Sequence, residues 1–206
     1  IVDNGVDYPG GNNHGSVACI NGQWYIFYHR MTNGTIASRR GCVEKIAILP
    51  DGTIPPVEMT SLGFEDSLNP YEITPADLAC VLKGGAFVTE KNVFDRVVTN
   101  IQDGSVIGYK YYDFGDDFGS MTMEFSAKIL GMGCDAVMHI LIDGEDGEEI
   151  GCCRIGHDSS AIHTIVKSVT GRHAVFFKIT TEYVGWMGEM FRGRNLFELC
   201  SFVFLK

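Results

Sequence analysis

NNHGSVACINGQWYIFYHR, residues 12–30, is the stretch from which the rest of the chain is read. Two amides and a histidine lead into two apolar runs, and Asn21-Gly22 separates them. Val17, Cys19, Trp24, Ile26 and Tyr28 alternate with Ala18, Tyr25, Phe27 and His29. Alternation on either side of Asn-Gly predicts a β-hairpin with a primed turn. Apolar residues on both faces of both strands predict an inner, buried hairpin. His14 then lies at the entrance of the hairpin, with His29 and Arg30 at its exit. Polar groups gathered at strand ends point to a site.

Working outward, turn signals recur throughout. Residues 31–37 read as a polar turn and 39–49 as a further strand. Leu49-Pro50-Asp51-Gly52 is a strong turn. Residues 54–59 read as a short edge strand, since Pro55 and Pro56 cannot donate to a ladder. Four strands are the content of one propeller blade, which buries too little surface to stand alone. Residues 61–70 have the composition of a linker. The chain is therefore divided into residues 1–62, a linker at 63–70, and residues 71–206. The last part holds about ten short strand runs separated by Gly- and Asp-rich turns, without helical periodicity. That pattern predicts an all-β sandwich.

Composition excludes several functions. The 206 residues carry a net charge of −10, which argues against nucleic acid and anionic membrane surfaces as partners. No apolar run approaches the roughly 20 residues of a spanning helix. Seven cysteines without a Cys-x-x-Cys pair read as reduced, buried thiols, and so as a cytoplasmic chain. The sequence opens at Ile1 in mid-pattern, which reads as a fragment of a longer protein.

The opening stretch resembles glycoside hydrolase family 43, whose last propeller blade carries NNHxS, a short hairpin, then WYxFYHR. The likeness continues through Ser38-Arg39-Arg40-Gly41-Cys42-Val43-Glu44 and Asp51-Gly52-Thr53-Ile54. It implies that His14 supports an active site near the propeller axis. Arg39 and Arg40 point to opposite faces of a strand, and Arg40 is the one assigned to the pocket. Hydrolysis needs paired carboxylates flanking the bond. The family carries them on earlier blades, so the chain alone is expected to be inactive.

The second half resembles carbohydrate-binding module family 6. Residues 103–115 match its GDWVxYKxVDFG segment, 140–151 its IRLDxxxGxxIG, 169–177 its VxGxHxLYL and 195–202 its LFNLDWF. The implied fold is a β-sandwich jelly roll. Sugar binding in this family rests on aromatic faces and an amide. Here Val106 replaces the first aromatic while Tyr109 remains, Ala161-Ile162-His163 replaces the loop Trp, and Glu198 replaces the Asn. Tyr109, Glu198 and Trp186 of the 182–194 loop are the candidate sugar contacts. That loop is also expected to dock Trp186 and Phe191 against the N-terminal blade or an absent propeller. The family's structural calcium would fall to Asp77, because Pro75 and Cys200 replace two acids. This falls short of the six to eight oxygens calcium takes.

The sequence thus reads as all-β, a partial propeller blade plus a sandwich. Its implied parent is a xylosidase- or arabinofuranosidase-type hydrolase acting on xylan- or arabinan-type saccharides. The implied partner is a missing N-terminal propeller portion. The competing reading is a non-enzymatic binding or docking module.

Overall fold

The structure is a computed structural model describing residues 2, 14–32, 39–116 and 119–206. Its regular structure is almost entirely β-strand, arranged in three antiparallel sheets. The first holds β1 (Gly15–Ile20), β2 (Gln23–Met31) and β3 (Arg39–Ile46), in that order. Asn21 and Gly22 both take positive φ, 50° and 85°, and Ile20 pairs with Gln23 across them. The primed hairpin is as expected. Its burial is not. β1 is an edge strand and is largely exposed, while β2 buries Tyr25, Ile26, Tyr28 and Arg30. Apolar composition overstated burial because the sheet stops at β1. The 54–59 edge strand is also absent; only a single bridge, Val2 to Val57, forms there. The double proline removes two successive donors, and the described sheet has three strands, not four. The expected turn at 31–37 lies mostly outside the described residues.

The sandwich follows. One sheet runs β11 (Glu148–Ile155), β10 (Ala136–Ile142), β13 (Arg172–Thr180), β8 (Val106–Asp113) and β5 (Val81–Lys83). The other runs β12 (Ala161–Lys167), β9 (Thr122–Gly131), β14 (Phe197–Leu205), β7 (Arg96–Thr99) and β6 (Phe87–Glu90), with β4 (Thr74–Pro75) also on β14. A short helix, α1 (Gly185–Phe191), interrupts the return from β13 to β14.

The core between these sheets is aromatic. Phe202 lies with its ring 4.8 Å from those of both Tyr109 and Phe177, and 6.0 Å from Phe125. Such edge-to-face spacing adds to the burial term. β14 could not supply it as a regular strand. Phe197 and Leu199 point inward, and so do Phe202 and Phe204, which are out of phase with them. A register shift between Leu199 and Ser201 inserts Cys200 and restores the inward alternation. Gly108 answers a second constraint: a Cβ there would lie 2.6 Å from the Phe176 ring.

The 61–70 segment is no free linker. It continues along β8 where β5 stops. Ser61 N–H donates to the Lys110 carbonyl, Leu68 N–H to Tyr111, and Asp113 N–H back to Leu68, at 2.8, 2.8 and 3.1 Å. These bonds satisfy edge groups of β8 that would otherwise be left open. The N-terminal sheet and the sandwich share one contiguous apolar core, with Ile26, Tyr28, Ile46 and Met59 contributing from the N-terminal side.

Truncating the central ring tests this account. Phe202→Ala should cost about 3–5 kcal/mol, read from the denaturant midpoint at unchanged slope. A loss under about 1 kcal/mol would mean that the core does not depend on this ring.

Candidate functional site

His14 stands at the start of β1, exposed, and its ring meets His29 edge-on at 4.7 Å. Gly15 pairs with Tyr28, so the hairpin brings its two ends together as expected. Arg30 faces the other way. Its guanidinium is buried, donating to the Ala79 carbonyl and, at 3.5 Å, to the Met59 sulfur.

Arg40 does not face a pocket near His14. Its guanidinium donates to Asp77 at 2.5 Å, which joins β3 to the 76–78 turn of the sandwich. Arg96 approaches the same carboxylate at 3.9 Å. This corrects the assignment of Asp77 as a metal ligand. A guanidinium holds the oxygen that a calcium ion would need. Pro75 offers no side-chain donor, and Cys200 is a soft thiol. Among the described residues no three acidic, His or Cys side chains gather as a metal site. The residues present do not fit calcium.

Glu44 is a carboxylate of β3. It is buried beneath the N-terminal sheet. Thr60 donates to it from its backbone N–H at 2.8 Å and from its hydroxyl at 2.6 Å, and Tyr28 from its hydroxyl at 3.1 Å. Burial raises its carboxyl above the usual range, and these donors together with Arg30 only partly offset that. With every neighbour a structural donor, it acts as a pin rather than a catalytic acid.

Two of the expected sugar contacts are closed. Tyr109 is fully buried beneath Phe202 and Phe177, with its hydroxyl donating to the Ala76 carbonyl at 2.9 Å. No ring face remains for a ligand. Glu198 is buried too. It accepts from Thr99 at 3.0 Å and pairs with Lys91 at 2.6 Å.

Trp186 is the open one, at 73% exposure on α1. The expected docking of the 182–194 loop against the N-terminal blade is not what the structure holds: Trp186 projects away, and α1 buries no residue. The helix is intrinsically weak. It has seven residues, two of them glycine, and no side-chain cap. Its geometry is fixed from outside. Tyr183 stacks on Phe191 at 4.2 Å with a 15° tilt, and the Tyr183 hydroxyl accepts from the Asp135 N–H at 2.7 Å. Asp103 accepts from the Thr181 N–H at 2.8 Å. Between α1 and the 102–103 turn lies a cavity of about 340 Å³ lined by Gln102, Asp103, Tyr183, Glu189, Phe191 and Arg192. Tyr183 also walls a cavity of about 360 Å³ formed with Asp135, Val137, Arg154 and Glu182. Acids, an amide and a guanidinium beside aromatic rings form a set that hydrogen-bonds hydroxyl-rich ligands. The role of Tyr183 was not legible in the sequence, because its Asp135 partner is 48 residues away.

The matches of the chain run in the same direction. A "Xylosidase/arabinosidase" of Thermoclostridium stercorarium is 45% identical over 128 residues, covering 52% of this chain and 27% of the relative. The crystal structure of a glycoside hydrolase family 43 arabinoxylan arabinofuranohydrolase from Bacillus subtilis, in complex with cellotetraose, is 26% identical. It superposes at a TM-score of 0.63 and covers 100% of this chain and 43% of that one. The chain is thus similar to family 43 hydrolases, and its second part has the fold of family 6 carbohydrate-binding modules. A family 6 carbohydrate-binding module from Clostridium cellulolyticum, in complex with xylose, shares the sandwich fold. It has a TM-score of 0.55 and 22% identity, and covers 68% of this chain and 100% of that one. No protein-family model matches the chain. The family 43-like chain spans between a quarter and a third of the length of the curated relatives it matches.

The salt-bridged Asp77 predicts a calcium-independent fold. Melting in EDTA and in millimolar calcium should give one midpoint. A site filled at a hundredfold excess over Kd would instead add about 3 kcal/mol, and an upward shift of several degrees would show that other oxygens rebuild it. Glu44 predicts a pH effect of defined sign. Its folded pKa is raised, so the stability it contributes is complete below the unfolded value of 4.5 and is lost as pH rises through the folded value. Melting of Glu44→Gln against the parent chain from pH 4 upward should show the parent losing ground as pH rises. Parallel curves would refute the buried carboxyl.

Proposed function

We propose that this chain is the saccharide-recruiting part of a xylan- or arabinoxylan-directed glycoside hydrolase, and that Trp186 on α1 is its sugar platform. The observation that carries the reading is the ring itself: a large indole face left in water on a loop whose position Tyr183 and Asp103 fix from both sides. An aromatic held open in this way stacks on a pyranose without having to order itself first. The adjoining cavity supplies the hydrogen-bonding groups. The names of the relatives, a xylosidase/arabinosidase and an arabinoxylan arabinofuranohydrolase, support the substrate class.

The catalytic carboxylates are assigned outside this chain. Glu44 is enclosed by Tyr28 and Thr60, and Glu58 is engaged by Lys110 and Tyr111. The remaining propeller is the partner proposed for the N-terminal sheet, whose exposed Val17, Ile20 and Trp24 support such packing. No disulfide links any of the seven cysteines. That supports a reducing compartment, where the ligand would be an oligosaccharide rather than an insoluble polymer.

A second reading is favoured by Val184, Met187 and Met190, which are exposed beside Trp186 and suit docking to a protein surface. One titration decides between them. Xylo- and arabino-oligosaccharides should produce a saturable blue shift in intrinsic fluorescence. Trp186→Ala should abolish it and leave the melting midpoint unchanged. Absence of any shift with either series would overturn the sugar platform in favour of docking.

A further inference from the structure

A second recess lies on the outward face of the other sheet, away from α1. It is a groove of about 510 Å³ between the β6–β7 turn and strands β9 and β14, lined by Lys91, Phe94, Arg96, Lys128, Leu130 and Cys200. That volume lies within the ordinary range of small-ligand sites, roughly 300–1,000 Å³.

Phe94 forms one wall and is 89% exposed. Its turn is closely tied. The Asn92 side-chain oxygen accepts from the N–H groups of Phe94 and Asp95 at 2.8 and 3.0 Å. The Asn92 amide donates to the Asp95 carboxylate at 2.7 Å, and the Lys91 N–H donates to the Asp95 carbonyl at 2.9 Å. The ring is thus held in water by a hydrogen-bonded loop. That costs hydrophobic energy in the free protein and lowers the ordering cost of a stacked ligand.

The charge around the groove is unevenly committed. Asp77 is held by Arg40, Asp95 by Asn92, and Glu198, behind the wall, by Lys91 and Thr99. Arg96 leans on Glu90 at 3.5 Å and on Asp77 at 3.9 Å. The Lys128 ammonium forms no ion pair or hydrogen bond among the described residues. It lines the groove together with the Cys200 thiol. The lining carries Lys91, Arg96 and Lys128 against Asp77 and Asp95; Lys91 and Arg96 are themselves engaged by Glu198 and Glu90, which leaves the Lys128 ammonium as the cation open to a ligand.

We propose that this groove is a second sugar site, selective for a ring that bears a carboxylate, a uronate. The ring stacks on Phe94 and its carboxylate pairs with Lys128. The neutral hydroxyls face the Ser201 edge of β14, which also lines the groove. The inference rests on the carbohydrate-binding reading above but uses none of its residues.

Calorimetric titration of the full chain with D-glucuronate, and with D-glucose as the neutral counterpart, tests it. The expected result is saturable glucuronate binding that is at least tenfold tighter than that of glucose. It should weaken as salt rises from about 50 to about 500 mM, which shortens the screening length from above 10 Å to below 5 Å. Lys128→Gln and Phe94→Ala each should reduce it about tenfold with unchanged melting midpoints, since both side chains are exposed. Trp186→Ala should leave it intact. Glucuronate bound equally well by Lys128→Gln, or not bound at all, overturns the site. If glucuronate fails while neutral oligosaccharides still shift the Trp186 fluorescence, only this inference falls. If both ligands fail, the carbohydrate reading falls with it.

Discussion

Closure of the sandwich turns on one irregularity, the extra residue that β14 accommodates at Cys200. Without it, either Phe197 and Leu199 or Phe202 and Phe204 would face water. A slip of one residue exchanges the faces of a strand. β14 pairs with β4, β7 and β9, so the fault would spread through most of its sheet. The same bulge turns Cys200 out to the groove beside Lys128. A device that completes the core thus also shapes an outer surface.

The junction between the two parts follows a different physical rule. Where the family resemblance implies a divalent cation, this chain places Arg40 against Asp77. A metal needs several oxygens converging on a point, whereas a guanidinium needs one carboxylate in a suitable direction. Two lost acids therefore matter less than they first suggest, and the surviving Asp77 takes on a new task. Arg30 works nearby as a buried donor, filling the Ala79 carbonyl across the junction. Cationic side chains on β2 and β3 thus tie the N-terminal sheet to the sandwich from two directions.

Much of the fold was legible in the sequence. Asn21-Gly22 fixed a hairpin because few other dipeptides tolerate two successive positive φ values. Most strands of the sandwich fell where alternation and Gly- or Asp-rich turns put them. What stayed hidden depended on long-range partners. β1 looked buried because composition cannot show where a sheet ends. Residues 61–70 looked like a tether because their polar composition is the same whether or not β8 takes up their backbone groups. Tyr109 looked available because a tyrosine on an alternating strand has even odds of facing in. Trp186 stands open, and the expected docking on the N-terminal sheet is not seen, because no surface of this chain opposes it. The Phe94 turn gave one local sign that went unused: Asn and Asp bracketing two apolar residues between strands.

The hydrogen-bonded 61–70 segment has a consequence for reach. A flexible tether lets a bound module sweep a volume, and its benefit falls off as that volume grows. Here the connection is stitched to β8 and braced by Glu58, Lys110 and Tyr111. A saccharide held on the sandwich would therefore sit at a set distance and angle from the N-terminal sheet. On the proposed function the arrangement would act as a ruler rather than a leash: it would raise local substrate concentration along one direction and forgo the rest, so branch spacing along a chain would become part of selectivity.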